Sequence, residues 1–346
     1  MQKLHIDTPF ELENGAVLPE LTLAYHTYGR LNARRDNVVW VCHALTASSD
    51  AADWWSGLVG EGKLLDSAKY FIVCANMLGS DYGSSSPRDI DRRTGQVFGL
   101  NFPLVTVRDM VMANIKLRQH LGIQQIELLL GGSMGGQQAM EWAIVEPSRV
   151  RNLGLLACGA RQPAWAIALN ESQRLALVAD PTFVEVDADA GAAGLVAARA
   201  MAMISYRSFE SYNATQTDND GRTDGFSAAS YQRYQGLKLQ RRFHAHCYWS
   251  LGRSMDSHDV GRNRGGVVAA LGSITAKTAV IAISSDGLFP VSEQRQLARL
   301  IPDARLYVID SHYGHDGFLL EFEQISAILK RLLTVPHSMP LVAELT

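Results

Sequence analysis

The sequence lacks long apolar runs: across its 346 residues no segment reaches the roughly 18 apolar residues that a transmembrane helix needs. It has little excess charge, with a formal net charge of −3, so we expect no basic surface for nucleic acid or an anionic membrane. The first residues, MQKLHIDTPFELENG, have no apolar core of a signal peptide. We therefore expect a cytoplasmic protein that binds neither nucleic acid nor a membrane.

Cysteines and metal-binding motifs are also scarce. Cys42, Cys74, Cys158 and Cys247 are widely spaced, and three of them lie in or beside apolar runs, which predicts reduced, buried thiols. No H-E-x-x-H or paired C-x-x-C pattern occurs, so the sequence predicts no metal site. Neither G-x-G-x-x-G nor G-x-x-x-x-G-K-[ST] occurs, which argues against a phosphate cradle. We expect no tightly bound cofactor.

Short runs rich in valine, isoleucine and leucine alternate with helical patterns along most of the chain. The runs predicted as strands are Asn37–His43, Tyr70–Asn76, Ile126–Gly131, Asn152–Cys158, Thr278–Ser284 and Arg305–Asp310. Their apolarity is continuous, which is typical of strands covered on both faces, as in a parallel sheet. The alternation predicts an α/β fold with a mostly parallel sheet and helices on both of its faces.

The intervening helices have recognisable ends. One begins with Thr106 at the N-cap, has Asp109 three residues further on and stops at Gly122. The other helices predicted outside the middle of the chain are Gln137–Val145, Glu293–Leu300 and Phe318–Leu333.

The alternation of strands and helices stops in the middle of the chain. This stretch is helical in pattern, apart from a polar tract at Asn213–Gly225 that predicts a surface loop. The strand–helix pattern resumes after Gly265. We therefore predict a helical lid, residues 161–265, inserted into an α/β core formed by residues 1–160 and 266–346.

One serine stands among glycines where a predicted strand passes into a helix, in IELLLGGSMGGQQAMEWA. Gly131, Ser133 and Gly135 fit G-x-S-x-G in the strand–turn–helix context of a nucleophile elbow. Such a sharp turn needs small neighbours and leaves the hydroxyl at a helix N-terminus, whose partial positive charge favours an oxyanion. A flexible glycine-rich turn would have the same sequence, so the interpretation of Ser133 as a nucleophile depends on its partners.

A serine nucleophile needs a base and a group that orients the base, and in this fold they follow in the order Ser, Asp, His. Asp286 follows the first strand after the lid, in SSDGLFP, and the next strand leads into SHYGHDGFL with His312 and His315. Sites of open α/β sheets form at this edge. We predict Asp286 as the orienting residue and His315 as the base, with His312 second. A turn aspartate and a histidine in a helix-capping loop are the structural alternatives.

Acyl chemistry at a serine also needs two backbone N–H groups that bind the oxyanion. One is expected from Met134, directly after the nucleophile. The other is expected from the loop HALTASS, which follows an earlier strand and offers Leu45. A Cys42–His43 pair is a poor alternative, because adjacent strand residues point to opposite faces.

Residues of the lid are expected to select the substrate. Arg199 lies in the otherwise apolar helix GLVAARAMAMISYR, with Tyr206 two turns further along the same face. Together they would suit a substrate carboxylate, but an arginine that extends into solvent would have the same pattern. Asp316, beside the predicted base, would accept a substrate ammonium or cap the last helix.

Together these motifs resemble the homoserine O-acetyltransferase family, α/β-hydrolase-fold enzymes of methionine biosynthesis. The segments that carry the resemblance are CHALTASS, DWWSGLVGEGKLLD, YFIVCANMLGSDYGSSSP, FPLVTVRDMV, LLGGSMGGQQAMEWA, SYQRYQGLKLQRRF, SMDSHDVGRNRGG, SSDGLFP and GHDGFL. They extend from near Phe10 to about Leu333, so the resemblance covers essentially the whole chain.

The resemblance implies ping-pong transfer of an acetyl group from acetyl-CoA to the hydroxyl of L-homoserine, and a homodimer joined through the lid helices. It also implies a role for each candidate side chain. The triad would be Ser133, Asp286 and His315, with Arg199 and Tyr206 at the homoserine carboxylate and Asp316 at its amine.

Two loops at the catalytic edge depart from the family's usual pattern. Ala47 stands where the family often has glycine after HALT, and GSSSP at Gly83–Pro87 replaces the usual GSTGP. Both loops bear on the acyl and acceptor pockets, so a succinyl donor and a serine acceptor remain alternatives, as does a serine esterase with the same triad. A charged site at Arg199, Tyr206 and Asp316 would favour transfer over hydrolysis.

Overall fold

A computed structural model describes residues 1–334 as an α/β protein built on an eight-stranded sheet. The strands in chain order are Gln2–Ile6 (β1), Phe10–Glu11 (β2), Val17–Leu18 (β3), Leu21–Tyr28 (β4), Val38–Cys42 (β5), Phe71–Ala75 (β6), Ile90–Asp91 (β7), Gln96–Val97 (β8), Ile126–Gly132 (β9), Val150–Leu156 (β10), Lys277–Ile283 (β11) and Ala304–Ile309 (β12). The large sheet has the order β1-β4-β6-β5-β9-β10-β11-β12. It is antiparallel from β1 to β6 and parallel from β6 to β12.

Helices connect the strands and cover both faces of the sheet. The α-helices are Ala51–Trp54 (α1), Val107–His120 (α2), Met134–Val145 (α3), Ala164–Val178 (α4), Ala192–Tyr206 (α5), Phe209–Gln216 (α6), Ser227–Gln240 (α7), Ala245–Asp256 (α8), Val267–Gly272 (α9), Val291–Leu300 (α10), Gly317–Leu320 (α11) and Phe322–Thr334 (α12). Short 3₁₀ helices lie at Gly99–Asn101, Pro147–Arg149 and Gly314–Asp316. Among the described helices, none is long and apolar enough to span a lipid bilayer.

Successive residues of the strands contribute their side chains to two apolar clusters, one on each face of the sheet. In β5, Trp40 belongs to the cluster that includes residues of α2, α3 and α10, whereas Val39 and Val41 belong to the cluster that includes residues of α1, α11 and α12. All three side chains are fully buried. The continuous apolar runs therefore belong to a sheet covered on both sides, and the predicted fold class is confirmed.

The sequence predictions failed in places where polar residues or glycines interrupt a pattern. The edge strand β1 and its neighbour β4 were not predicted, because exposed or polar residues interrupt their apolar character. The polar tract Asn213–Gly225 was predicted as loop throughout, but α6 continues to Gln216. Helix α3 begins at Met134 rather than Gln137, because its glycines belong to the helix and not to the preceding turn.

Helices α4 to α8 lie between β10 and β11 in the chain and form the region predicted as a lid. The chain leaves and rejoins the core side by side: the Gln162 N–H donates to the His258 carbonyl at 3.0 Å, and the Val260 N–H to the Ala160 carbonyl at 3.0 Å. Buried lid side chains such as Leu251 belong to the same apolar cluster as one face of the sheet. The division into core and lid remains a prediction, and residues 335–346 of the predicted core lie outside the described residues.

Candidate active site

Ser133 occupies the sharp turn between β9 and α3. Its backbone has φ 55° and ψ −125°, a positive φ that side chains other than glycine adopt only with strain. The Ser133 N–H donates to the Leu156 carbonyl of the neighbouring strand at 2.9 Å, which holds the turn against the sheet. A strained, well-anchored serine at a helix N-terminus is typical of a nucleophile elbow and not of a flexible turn.

The glycines around Ser133 are required by close backbone packing. A Cβ on Gly135 would lie 2.1 Å from the Cys42 carbonyl oxygen at the end of β5, and one on Gly131 would lie 2.3 Å from the Gly135 carbonyl carbon. On Gly136 it would lie 2.7 Å from the sulfur of Cys158. The turn can therefore approach the neighbouring strand only when these side chains are absent.

Asp286 and His315 form a hydrogen-bonded pair beside the elbow. The Nδ1 of His315 lies 2.8 Å from Oδ2 of Asp286. The other carboxylate oxygen accepts hydrogen bonds from the N–H groups of Leu288, at 2.8 Å, and Phe289, at 2.9 Å. Asp286 thus stabilises its turn and orients the histidine at the same time. This pattern places the ring proton on Nδ1 and leaves Nε2 free to act as a base.

Opposing effects act on the pKa of His315. Burial of the ring by itself lowers the pKa, but the charge and hydrogen bond of Asp286, with a contribution from Asp316, raise it above its usual value. The imidazolium that forms during proton transfer is therefore stabilised in place, which suits a residue that accepts and returns a proton.

His312, the second choice for the base, lies outside this arrangement. It is exposed, its ring packs on Tyr313 at a centroid distance of 4.1 Å, and its carbonyl accepts a hydrogen bond from the Ser208 hydroxyl. The structure pairs Asp286 with His315 and not with His312.

The Cys42–His43 alternative is excluded by burial and hydrogen bonding. Burial raises the pKa of the Cys42 thiol far above its usual value, so a thiolate is disfavoured. Burial also lowers the pKa of His43 to about 4. Both of its ring nitrogens are engaged, Nδ1 with the Ala44 carbonyl at 2.9 Å and Nε2 with the Met77 N–H at 3.0 Å.

One cavity of about 550 Å³ joins most of the predicted site residues. The predicted residues that line it are Leu45, Ser133, Arg199, Tyr206, His315 and Asp316. Asp286 and Met134 are buried, with 5% and 1% of their surface exposed. Residues from the elbow, the histidine loop and the lid therefore meet at the carboxyl edge of the sheet.

Two backbone N–H groups are available near the nucleophile. Met134 is the first residue of α3, so its N–H has no partner within the helix. The Leu45 N–H donates to no other residue within 1–334. Both positions suit the predicted oxyanion hole, and their role in it remains a prediction.

Arg199 brings a positive charge into the cavity and forms no ion pair with any residue that the structure describes. It is half-buried, its Nε has no hydrogen-bond acceptor among the described residues, and its guanidinium lies 5.2 Å from the centroid of the Tyr206 ring. The Tyr206 ring in turn lies 5.9 Å from that of His315. An arginine extended into solvent is thus excluded, and a half-buried cation inside a cavity is expected to pair with an anion.

Asp316 lies on the same cavity and pairs with a residue that sequence reasoning did not single out. Its Oδ2 is 3.0 Å from Nε of Arg207. Burial raises the pKa of the Asp316 carboxyl above its usual value, against the opposing charge of Arg207. Although Asp316 stands at the start of α11, its side chain makes no capping hydrogen bond, so the capping alternative lacks its defining contact.

Other cavity residues were also missed, among them Trp54, Lys238 and Arg242. Arg242 donates to the Thr46 carbonyl at 2.6 Å and to the Tyr82 hydroxyl, so it connects the lid to the loop after β5. The sequence signal of Lys238 and Arg242 was weak, because charged residues at the end of a helix are common at any surface.

The described residues contain one group with metal-ligand geometry, formed by His5, Asp7 and Glu20. The guanidinium of Arg92 lies between the two carboxylates, at 2.9 Å from Asp7 and 2.6 Å from Glu20. The group belongs to the sheet edge at β1 and does not line the Ser133 cavity. The absence of a metal from the mechanism remains a prediction.

Comparison with known proteins agrees with this geometry. The family profile described as alpha/beta hydrolase fold matches residues 37–322. A homoserine O-acetyltransferase of Cyclobacterium marinum is 45% identical over 319 residues, covering 92% of this chain and 91% of that protein. The chain belongs to the homoserine O-acetyltransferase family.

Solved structures extend the comparison beyond close relatives. A homoserine O-acetyltransferase from Bacillus anthracis superposes with a TM-score of 0.92 over 97% of this chain and 98% of that chain, and at 22% identity it supports the fold alone. An acetylester hydrolase from Corynebacterium glutamicum is 28% identical, with a TM-score of 0.87 over 96% of each chain. Members of the homoserine O-acetyltransferase family thus share their architecture with ester hydrolases.

Proposed function

We propose that this protein transfers an acetyl group from acetyl-CoA to the hydroxyl of L-homoserine, a step of methionine biosynthesis. The observation that carries the proposal is that one cavity contains Ser133 together with a positively charged and a negatively charged side chain. Arg199 offers a cation that has no ion-pair partner within residues 1–334, and Asp316 offers a carboxylate. A zwitterionic amino acid presents complementary groups to both. The name of the relatives supplies the acetyl group and the acceptor.

In the first half-reaction, His315 takes the proton of the Ser133 hydroxyl and the serine oxygen attacks the thioester carbonyl. The N–H groups of Leu45 and Met134 bind the oxyanion. The carbon–sulfur bond then breaks, the CoA sulfur takes the proton from His315, and an acetyl-serine remains. Asp286 holds the imidazole throughout.

In the second half-reaction, L-homoserine enters the same cavity. Arg199 and Tyr206 bind its carboxylate and Asp316 its ammonium. His315 takes the proton of the homoserine hydroxyl, and the homoserine oxygen attacks the acetyl carbon. The bond between the acetyl carbon and the Ser133 oxygen then breaks, and that oxygen takes the proton back from His315. Fixing the acceptor at both charged ends raises its effective concentration over that of water.

Hydrolysis of an ester is the second candidate function, because the acetylester hydrolase of Corynebacterium glutamicum shares the fold over 96% of each chain. A hydrolase needs no site for an acceptor's two charges, whereas this cavity contains Arg199 and Asp316. These charged groups favour transfer. The same mechanism would serve a succinyl donor or a serine acceptor, which the test therefore includes.

The proposal extends to the state of the protein in the cell. We propose a cytoplasmic homodimer with no tightly bound cofactor. Large apolar side chains on the lid support the dimer: Ile204 and Phe209 are 66% and 79% exposed and border one surface depression. A second copy of the lid would bury them.

The experiment follows CoA release from acetyl-CoA or succinyl-CoA in the presence of L-homoserine, L-serine or water alone. We expect homoserine with acetyl-CoA to give much the fastest release, and O-acetylhomoserine to account for all of the CoA released. Release that is equally fast with and without an amino acid would identify a hydrolase instead.

A further inference from the structure

Asp316 is contacted from the side opposite the cavity by Arg207, the residue that follows α5. The Asp316 Oδ2 lies 3.0 Å from Arg207 Nε, and Asp316 lines the cavity while Arg207 borders depressions on the outer surface. The Nε–H is not aligned on the carboxylate, so the contact is an ion pair and not a directed hydrogen bond. The Asp316 Oδ1 accepts no hydrogen bond from another residue within 1–334.

We propose that Arg207 is a positioning residue for the acceptor. It holds the Asp316 carboxylate from behind and keeps it ionised, so that the free oxygen receives the ammonium group of the amino acid. This inference rests on the proposed function, because it takes an amino acid as the acceptor.

The backbone around Arg207 is fixed against the histidine loop. Gly314 has φ 68°, and a Cβ there would lie 2.7 Å from both the Arg207 carbonyl carbon and the Ser208 nitrogen. The Ser208 hydroxyl donates to the His312 carbonyl on the same loop. The end of α5 and the loop that carries His315 and Asp316 are therefore in direct contact, which fixes the distance between the two charges.

The charges around Asp316 explain why its carboxyl needs the Arg207 cation in addition to the ammonium group of the acceptor. Burial raises the pKa of the carboxyl, and Arg207 is the strongest opposing influence, followed by His315 and Arg199. The other ionisable groups that face it are Tyr206 of α5 and Tyr212 of α6. Without Arg207 the carboxyl would bind a proton more readily, and a neutral acid offers an ammonium group no opposite charge.

The test compares two acceptors on the full-length enzyme, L-homoserine and 4-hydroxybutanoate, which keeps the hydroxyl and the carboxylate but lacks the amine. The measured quantity is the ratio of their kcat/KM values from about pH 5 to about pH 8. Because both acceptors need His315 in the same protonation state, its titration cancels in the ratio. The ratio therefore reports recognition of the amine.

For Arg207→Gln we expect the ratio to fall about tenfold at pH values below the Asp316 pKa of both proteins, the factor that a shift of one pKa unit represents. We expect its decline at acid pH to begin about one pH unit higher than in the wild type, because removing the cation raises the pKa of Asp316. Arg207→Lys keeps the charge and should restore most of the ratio. In an Asp316→Asn background, Arg207→Gln should change the ratio no further.

The matched control is Arg174→Gln. Arg174 is another lid arginine in an ion pair, 2.6 Å from Asp256, and it does not line the Ser133 cavity; its loss should leave the ratio unchanged.

Arg207→Met gives the same readout should the glutamine variant be unstable. Equal losses with both acceptors, or an unchanged ratio, would overturn the role of Arg207. A wild-type acetyl-enzyme that homoserine discharges no faster than water would overturn the proposed function itself, and this inference with it.

Discussion

At the scale of single residues, the proposed role of Ser133 as a nucleophile depends on its backbone conformation as much as on its hydroxyl. Its φ of 55° costs on the order of 1–3 kcal/mol for a residue with a side chain. The hydrogen bond to Leu156 and the packing of the glycines against Cys42 hold it in that conformation. The strain places the hydroxyl in the cavity beside His315.

The Ser133→Ala substitution is expected to abolish acetyl-enzyme formation with little effect on folding. We expect a loss of about a thousandfold or more in kcat, because the nucleophile of a triad cannot be replaced by its neighbours. The measurement is the burst of CoA release at high enzyme concentration, together with mass spectrometry of the acetylated protein. An alanine variant that still accumulates acetyl-enzyme would move the nucleophile elsewhere.

The raised pKa of His315 predicts the pH dependence of the first half-reaction. The base must be neutral, so kcat/KM for acetyl-CoA should fall as the pH drops through the His315 pKa. Because Asp286 and Asp316 outweigh the effect of burial and raise that pKa, the midpoint should lie above the ordinary value of about 6.5. A pH profile of kcat/KM provides the check, and a midpoint below that value would contradict the charge balance described for His315.

At the scale of elements, the parts that could be predicted from sequence were those set by local patterns. Strands β5, β6 and β9 to β12 have continuous apolar runs, and α2 has a complete capping box at Thr106. The edge strand β1 and its neighbour β4 have no such pattern, because their place depends on pairing with residues distant in the chain. Arg207 was missed for a related reason, since its partner Asp316 lies more than a hundred residues away in sequence.

The contact between the elbow and β5 predicts a large cost for a single methyl group. Gly135→Ala would place a Cβ 2.1 Å from the Cys42 carbonyl oxygen, and neither backbone can move without disturbing the sheet. We expect the free energy of unfolding to fall by about 3 kcal/mol or more, by analogy with overpacked cores, with activity lost alongside. Denaturant unfolding measures the change.

Gly272→Ala is the matched control for that substitution. Gly272 also lies in a helix, at the end of α9, and a Cβ there would meet nothing within 4 Å. Because alanine has the higher helix propensity, this variant should be as stable as the wild type or slightly more so. A similar loss of stability in both variants would show that helix glycines, and not the approach to β5, cause the effect.

At the scale of the whole molecule, the lid and the sheet form one structure. Lid residues such as Leu251 and Tyr248 belong to the same apolar cluster as Trp40 of β5. The cavity lies where these parts meet: Ser133 and Asp316 come from the predicted core, and Arg199 comes from the predicted lid.

The proposed dimer can be tested on the outer surface of the lid. Phe209→Asp places a charge on a side chain that is 79% exposed and should shift the protein from dimer to monomer in light scattering, because a charge buried at an apolar interface is costly. Val268→Asp is the control, since Val268 of α9 is 66% exposed but lies outside the lid. A monomeric wild type, or a dimer unaffected by the charge at position 209, would place the contact elsewhere or remove it.

The cavity that both substrates are proposed to share has a kinetic consequence. The residues proposed to bind the acceptor, Arg199 and Asp316, and the proposed nucleophile Ser133 line the same space, so we expect free enzyme to bind homoserine before it has been acetylated. That dead-end complex blocks the donor, and excess homoserine should inhibit competitively against acetyl-CoA. The reaction rate would then depend on the ratio of the two substrate concentrations. The rate at which the enzyme consumes homoserine would thus follow the supply of acetyl-CoA.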